Sequence, residues 1–485
     1  MVYFIFLFLA LYFVLCKIRL DWAVLLLIAL LPIYLVRFDI LGVPFTLLEG
    51  MILTAFFVWA FANYRQLCAN IVKSFKREKD PKQKKIRYPF DVEIILLLII
   101  SFVAVGVAGF SNEALGIWKA YFFEPLLLFV LVVNVFGKNT NPESSGQVTR
   151  INNLDKIIIA LGVSAFYISV FAIFQKFTGV FIFNEFWAAE GTRRVTSVFP
   201  YPNAVGLYLA PLVLIFTGWL FQELRIKNYE LRLRDFYKHF KIFFILLIIT
   251  LSLLSIYFAK SEGALVGILV SLVTFGLLAS KKLRIATILC VIVVTAGISF
   301  YTPTRQYAYE KIILMDHSGQ IRRSQWAETW EMLKEENLIW GTGLSQYQNS
   351  IIPYHKEGIF IKDIYDEDFQ RKVVFNKEYH DNAWQPLEIY LYPHNIFFNF
   401  WIELGLAGML LFIWIIVKFF VISIKNFQNP KIKHLILGLV GSMIIIVVHG
   451  LVDVPYFKND LSALFWIILA MLSIIQLNKI ISYEK

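Results

Sequence analysis

The chain has 485 residues, 58% of them hydrophobic, and 46 of them are Phe. A soluble domain holds roughly 45–50% apolar residues, so this composition excludes an ordinary water-soluble enzyme. The formal net charge of +11 does not point to nucleic acid, because Lys and Arg fall in short runs between apolar stretches, as in membrane proteins. Cys16, Cys68 and Cys290 lie in apolar stretches or a basic loop, which argues against a disulfide framework, and no zinc or redox spacing is present.

About 20 consecutive apolar residues cross a bilayer as a helix, and shorter runs manage with tilt or snorkelling flanks. On that ruler the sequence predicts an all-α polytopic membrane protein of about 12–13 transmembrane helices. They lie near 2–16, 21–36, 45–63, 91–109, 121–136, 155–175, 203–222, 242–258, 264–279, 285–300, 394–418, 434–452 and 461–477. The first lacks a basic n-region and a small-residue cleavage site, so it reads as a retained span and not a cleaved leader.

Charge predicts the orientation. Stretch 65–87 is rich in Lys and Arg and marks the cytoplasmic side. Basic stretches at 225–241, 281–284 and 418–433 fall on the same side when the spans alternate, and Lys485 follows them. Stretch 137–153 reads as a polar loop. The opposite, extracytoplasmic side receives 112–119, 177–202, a tight turn at 260–263, and segment 301–393 between the tenth and eleventh spans. That last loop, about 90 residues, is far longer than an ordinary connection and is expected to fold over the membrane surface. Within it, 321–336 has helical periodicity with Trp326, Trp330 and Leu333 on one face. The chain thus divides into N-terminal spans (1–189), a core containing the long loop (190–420) and C-terminal spans (421–485).

Residues suited to chemistry gather on the outer side. Arg193 and Arg194 precede the seventh span, against the positive-inside bias, and guanidiniums suit diphosphate through bidentate bonds. They read equally as arginines snorkelling to lipid headgroups. Lys260 and Glu262 sit in the tight turn, as functional charges or as a self-neutralising pair. Arg322 and Arg323 precede Trp326 on the periodic segment, with Gly341 and Gly343 following, and alone they read as a solvated helix face.

Tyr392-Pro393-His394-Asn395 then opens the eleventh span. Asn395 suits an N-cap, which sets an imidazole at the positive end of a helix dipole. There it tends to stay neutral, as a general base must, and the helix end offers N–H groups to an anion. A helix-end anchor is the other reading. Glu403, about two and a half turns on, must be paired or protonated, and an inter-helix hydrogen bond is the favoured reading. Gly405 and Gly408 are expected to admit a neighbouring helix. His317, His355 and His380 show no metal-ligand spacing, and His449 with Asp453 is left unassigned.

These pieces, in this order, resemble the O-antigen ligase and polysaccharide polymerase superfamily. The family pattern His-Asn-x-x-apolar-x-x-x-x-Glu-x-Gly-x-x-Gly is met by His394, Asn395, Phe398, Glu403, Gly405 and Gly408. Its Arg-x-x-Gly-x-Phe-x-x-Pro-Asn resembles Arg194 through Phe199, Pro202 and Asn203, with Ser197 in place of Gly. Its Arg-x-x-x-Trp before Gly-x-Gly is similar to Arg322, Trp326, Gly341 and Gly343. The family's Ser-Arg-Gly-Ala turn reads Ser261-Glu262-Gly263-Ala264 here, with Lys260 the adjacent cation.

The resemblance implies a glycosyltransferase of the bacterial plasma membrane, acting at its outer face without a metal or cofactor. It implies transfer of a glycan from undecaprenyl diphosphate to an acceptor hydroxyl on a glycolipid such as lipid A core, a glycan or a protein. His394 would then be the base, with Arg194 and Arg322 catalytic, and Arg193, Arg323 and Lys260 on the diphosphate. Asn395, Glu403, Gly405, Gly408 and Asn203 would be structural members of the motifs. A polymerase of lipid-linked repeats shares this signature. A transporter or flippase of lipid-linked glycans is the reading from another class, and inverted repeats and midplane charges are the features it predicts and this sequence lacks.

Overall fold

The computed structural model describes residues 2–40, 43–65, 89–137, 146–225, 232–335 and 337–482. The basic stretch at 66–87 with Cys68, parts of the stretches at 137–153 and 225–241, and Lys485 lie outside the described residues. Helix accounts for 77% of the structure. Among the described residues, eight helices are long and apolar enough to cross a membrane: Asn112–Gly137, Asn153–Thr178, Pro202–Arg225, Lys238–Ala259, Glu262–Ala279, Lys281–Phe300, Ile396–Asn426 and Asn459–Leu477.

That is fewer than the sequence predicts. The other expected spans form helices of 10 to 18 residues: Val2–Ile18, Leu20–Ala29, Leu47–Ala62, Asp91–Val107 and Lys433–Gly450. The second is cut short for a local reason. Pro32 opens a 3-10 turn, Leu31–Leu35, and the chain then enters an antiparallel hairpin, Arg37–Ile40 with Val43–Thr46. A second hairpin, Gly358–Phe360 with Trp384–Pro386, lies in the long loop. Neither is expected of an all-α chain.

Two helices are almost wholly enclosed by the others, Pro202–Arg225 and Asn459–Leu477, and both are apolar on every side. The first crosses Lys433–Gly450 at two glycines. A Cβ built on Gly218 would stand 2.5 Å from the His434 carbonyl oxygen, and one on Gly438 would stand 2.6 Å from that of Leu214. Backbones therefore meet directly, the packing mode of helices that gain nothing from burying apolar surface out of lipid. At the other extreme, Lys281–Phe300 has no buried residue and stands at the edge of the bundle.

Charged pairs mark one face of the bundle. Lys241 bonds Asp155 at 2.7 Å and Glu223 at 2.6 Å, and Lys418 bonds Glu93 at 2.7 Å. The first hairpin, segment 179–201, the turn at 260–261, the long loop and the turn at 451–458 meet at the other, which we call the loop face. There Lys119 reaches the Pro44 carbonyl and Asn395 that of Leu451.

Overpacking a tight helix crossing destabilises by about 1–3 kcal/mol. Gly438→Leu is accordingly expected to lower the thermal midpoint of the detergent-purified protein, and Ala at the exposed Ile424 to leave it unchanged.

Candidate functional site at the loop face

The long loop is locked to the bundle through a break in a helix. Within Ile396–Asn426, Gly405 takes φ 73° and ψ 178°, a conformation open in practice only to glycine. The break frees backbone groups, and the loop answers them. Leu406 N donates to Ile339 O at 2.9 Å, and Thr342 N donates to Ile402 O at 2.8 Å. Gly341 and Gly343, at φ 71° and 82°, let the loop lie against this backbone and against the end of Asp91–Val107. Buried Glu403 accepts from Ser345 N at 2.8 Å, so its partner is a loop amide and not another helix. Gly405 likewise faces the carbonyls of Ile339 and Trp340, and Gly408 faces Leu404 of its own bent helix, where a neighbouring helix was expected.

The loop's longest helix, His317–Glu335, covers the start of the kinked helix. Its buried stripe is partly polar, with Gln325, Glu328 and Thr329 among Met332 and Leu333. Trp330 is exposed, contrary to the periodicity reading, and meets Trp401 edge to face at 5.8 Å. Trp326 instead points down and donates to the Pro393 carbonyl at 2.8 Å.

That contact holds His394, whose backbone is left-handed at φ 49°, uncommon for a non-glycine residue. Its Nδ1 stands 3.3 Å from Gln325 Oε1, so Nδ1 carries the proton and Nε2 is left as the basic nitrogen. Tyr390 and Tyr392 pack edge-on at 5.0 and 5.7 Å. Burial pulls the imidazole below its ordinary pKa, Asp453 opposes this, and Arg322 adds to it. Asn395 caps the helix through Oδ1, which accepts from Phe397 N and Phe398 N at 3.0 and 3.1 Å. Those amides are therefore not free for an anion, contrary to the expectation from the helix end alone.

Arg194 arrives from segment 179–201. It donates Nε to Ala259 O at 3.0 Å and a terminal nitrogen to Asn203 Oδ1 at 3.0 Å. Asn203 in turn donates to buried Asp453 at 3.3 Å. Burial lowers the Arg194 pKa; Glu262 opposes this and Arg322 adds to it. The arginine nonetheless stays charged at neutral pH. Arg322 donates to Ser318 at 2.7 Å while its buried Nε has no partner. Arg194, Arg322, His394 and Asp453 thus share one electrostatic neighbourhood.

The remaining cations lie elsewhere. Arg193 turns from Arg194 and ties the carbonyls of Lys176 and Ala188 at 2.9 and 3.1 Å. Arg323 points to Met315 Sδ, and Lys260 donates to Thr192 O at 3.1 Å. Glu262 pairs with Lys311, not with Lys260. Gly263 lies against the His449 ring, which a Cβ would meet at 2.6 Å, so this turn leaves no room for a larger residue. At Ser197, where the family pattern has Gly, the backbone is left-handed with φ 51°. Gln175 Oε1 accepts from Ser197 N at 2.7 Å, and Ser197 Oγ donates to Ile168 O at 2.7 Å, which hold the serine in that conformation. Among the described residues no group of three or more His, Cys, Asp or Glu side chains is arranged to hold a metal ion.

Gln325 and Asp453 escaped the sequence reading as members of the site. The signal for Gln325 was a polar run at three- and four-residue spacing on a helix taken as solvated. Asp453 was visible only as a carboxylate near His449.

Residues 244–413 match the family model described as O-Antigen ligase, which supports the resemblance to the O-antigen ligase superfamily. The match includes His394, Arg322, Glu403 and both motif glycines, while Arg194, Asn203 and Asp453 lie outside it. No curated protein matches the chain.

A left-handed glycine replaced by a residue with Cβ is strained by about 1–3 kcal/mol. Gly405→Ala, whose Cβ would also stand 2.5 Å from Ile339 O, is expected to unlock the loop. Limited proteolysis should then cut within 337–395 much faster than in the parent protein.

Proposed function

We propose that this protein transfers a glycan from an undecaprenyl-diphosphate-linked donor to an acceptor hydroxyl at the outer face of a bacterial plasma membrane. The observation that carries this reading is His394, buried, held in one tautomer by Gln325, and placed near Arg194 and Arg322. On this reading the loop face is extracytoplasmic.

His394 Nε2 takes the proton of the acceptor hydroxyl as its oxygen attacks the anomeric carbon of the donor sugar. The bond from that carbon to the diphosphate oxygen breaks, and undecaprenyl diphosphate leaves with the electron pair. Arg194 and Arg322 meet the charge that develops on the leaving oxygen, and both are in place before reaction. The Asn203–Asp453 pair fixes the Arg194 fork, and the covering helix limits access of water, which would otherwise hydrolyse the donor. Arg193, Arg323 and Lys260, each engaged by a protein group away from Arg194 and His394, are given no part at the reacting bond. A terminal acceptor makes the protein a ligase, and we favour that outcome; a lipid-linked acceptor makes it a polymerase of repeat units.

The protein should be purified into nanodiscs and given a labelled lipid-linked oligosaccharide with candidate acceptors, and the products weighed. Transfer to a lipid A core, glycan or protein means ligase, and a ladder of lipid-linked oligomers means polymerase. An intact donor bound across all acceptors means carriage without chemistry. His394→Ala is expected to slow transfer by about 10²–10⁴, the usual contribution of a general base. Near-parental turnover in that variant would remove the base assignment.

The pH profile follows from the sign of the shift. Burial lowers the His394 pKa, so the basic form persists into mild acid. The acid limb of kcat/KM is expected below about 6.5, the ordinary value for imidazole, with a plateau above it. An acid limb above 6.5 would contradict the placement of His394 as the base.

A further inference from the structure

Away from the loop face, Val2–Ile18 and Leu47–Ala62 leave a groove between them. The two helices run parallel from the loop face. Ile5 packs with Phe38 and Leu47 at that end, and a Cβ on Gly50 would stand 3.1 Å from Leu9, so the helices touch there. About one turn further on they part. A cavity of about 720 Å³ opens between them, with Phe13 on one wall, Phe57 and Phe61 on the other, and buried Val58 as its floor. Phe13 shares a helix face with Lys17, and Phe57 shares one with Phe61, because residues one turn apart are neighbours on a helix surface. Both faces are turned to the groove.

Cations stand at the mouth of the groove, where both helices finish. Lys17, exposed in the last turn of its helix, has its nitrogen 5.5 Å from the ring centres of both Phe13 and Phe61. The rings hold the ammonium over the groove without accepting its hydrogens. Among the described residues it makes no ion pair or hydrogen bond. Arg65 donates Nε at 3.0 Å to the hydroxyl of Tyr64, which lines the same mouth, and its terminal nitrogens bond no described residue. Arg19, the next cation, differs: it is paired with Asp21 at 3.0 Å. Two unpaired cations over an apolar slot, at the depth where the helices leave the bilayer, complement an anionic head on an apolar chain.

We propose that this groove is a binding site for an anionic glycerophospholipid of the leaflet opposite the loop face. Its phosphate sits on Lys17 and Arg65, and one acyl chain lies between Phe13, Phe57 and Phe61. Charge complementarity selects this occupant. A zwitterionic phospholipid would bring its own cation beside Lys17 and Arg65, whereas an anionic headgroup meets them with net negative charge. A second copy docked here about a two-fold axis would set the two Lys17 side chains at the same depth, like charge against like. A partner's transmembrane helix, about 10–12 Å across, does not enter a slot between helices that touch one turn away. The site lies at the far end of the bundle from His394 and stands apart from the glycan-transfer reading.

The test uses the full-length protein, delipidated in detergent and titrated with phosphatidylglycerol, with phosphatidylcholine of the same acyl chains, and with undecaprenyl phosphate. Retained lipid is counted by native mass spectrometry, a readout that does not involve glycan transfer. The parent protein is expected to hold one phosphatidylglycerol in preference to phosphatidylcholine. Lys17→Gln should weaken that binding about fivefold, the attraction of one basic side chain to an anionic headgroup. Ala60→Trp, which fills the groove and keeps Lys17, should abolish it. Lys282→Gln, which removes an exposed cation from the edge helix Lys281–Phe300, should leave it unchanged. Equal weakening by Lys282→Gln and Lys17→Gln would mean general attraction of lipid to a basic surface and would overturn the site. Equal retention of phosphatidylglycerol and phosphatidylcholine would overturn it too, as would tighter binding of undecaprenyl phosphate, or a dimer that Ala60→Trp disrupts. Should Ala60→Trp fail to fold, Lys17→Arg takes its place: it keeps the charge and is expected to keep the lipid that Lys17→Gln loses.

Discussion

The exchange of backbone hydrogen bonds at Gly405 is the constraint on which the loop face depends. A helix that breaks inside a membrane protein exposes N–H and C=O groups that nothing in lipid can satisfy. Here Ile339 and Thr342 satisfy them from outside the helix, and Glu403 adds a carboxylate that takes the Ser345 amide. The break and the loop are therefore one unit: neither is stable without the other. With the loop pinned at 339–345, the helix before it, His317–Glu335, is held over the start of the kinked helix, and Gln325 and Trp326 reach the His394 segment.

From that lock the site is assembled out of segments far apart in the chain. Arg194 precedes one span, the carbonyl it bonds at Ala259 ends another, and Asp453 lies in the turn after Lys433–Gly450. Asn203 and Asn395 join these through side chains that bond across helix ends, to Asp453 and to the Leu451 carbonyl. Backbone strain collects at the same places. Ser197, Lys260 and His394 are all left-handed without being glycine, and each is held by bonds to a different neighbour. Strain at several points of one face, each compensated separately, is the pattern of a surface shaped for a task and not for stability.

What could be read in the sequence follows from how each feature is encoded. His394, Arg194 and Arg322 were legible because a charge or an imidazole at the edge of an apolar run stands out locally. The glycines were legible as motif members but not in their role, since a Gly-x-Gly says nothing about which backbone it will meet. The second span, expected over 21–36, ends as a helix at Ala29 because apolar composition does not register the turn at Pro32. Gln325, Glu328 and Thr329 misled for the opposite reason. Polar residues on a helix usually face water, but here they are buried and bonded to His394, to His355 and to Tyr347. Partners separated by 69 residues, as Gln325 and His394 are, leave no local trace.

Charge at the site is unevenly met, and this unevenness bears on what the site is for. Arg194 and Arg322 approach one another with Asp453 and Glu262 as nearby acids, while Arg322 keeps a buried nitrogen without a partner. Two guanidiniums of like charge are held close only if the surrounding structure imposes it, and an incoming dianion would relieve the repulsion. His394 contributes no positive charge while neutral, so the cations are not further opposed before substrate binds. When it takes a proton, the imidazolium is charged beside Asp453, the one group that raises its proton affinity. The same carboxylate, through Asn203, sets the Arg194 fork. Asp453 is therefore the hinge between the two halves of the proposed reaction, proton removal on one side and leaving-group stabilisation on the other.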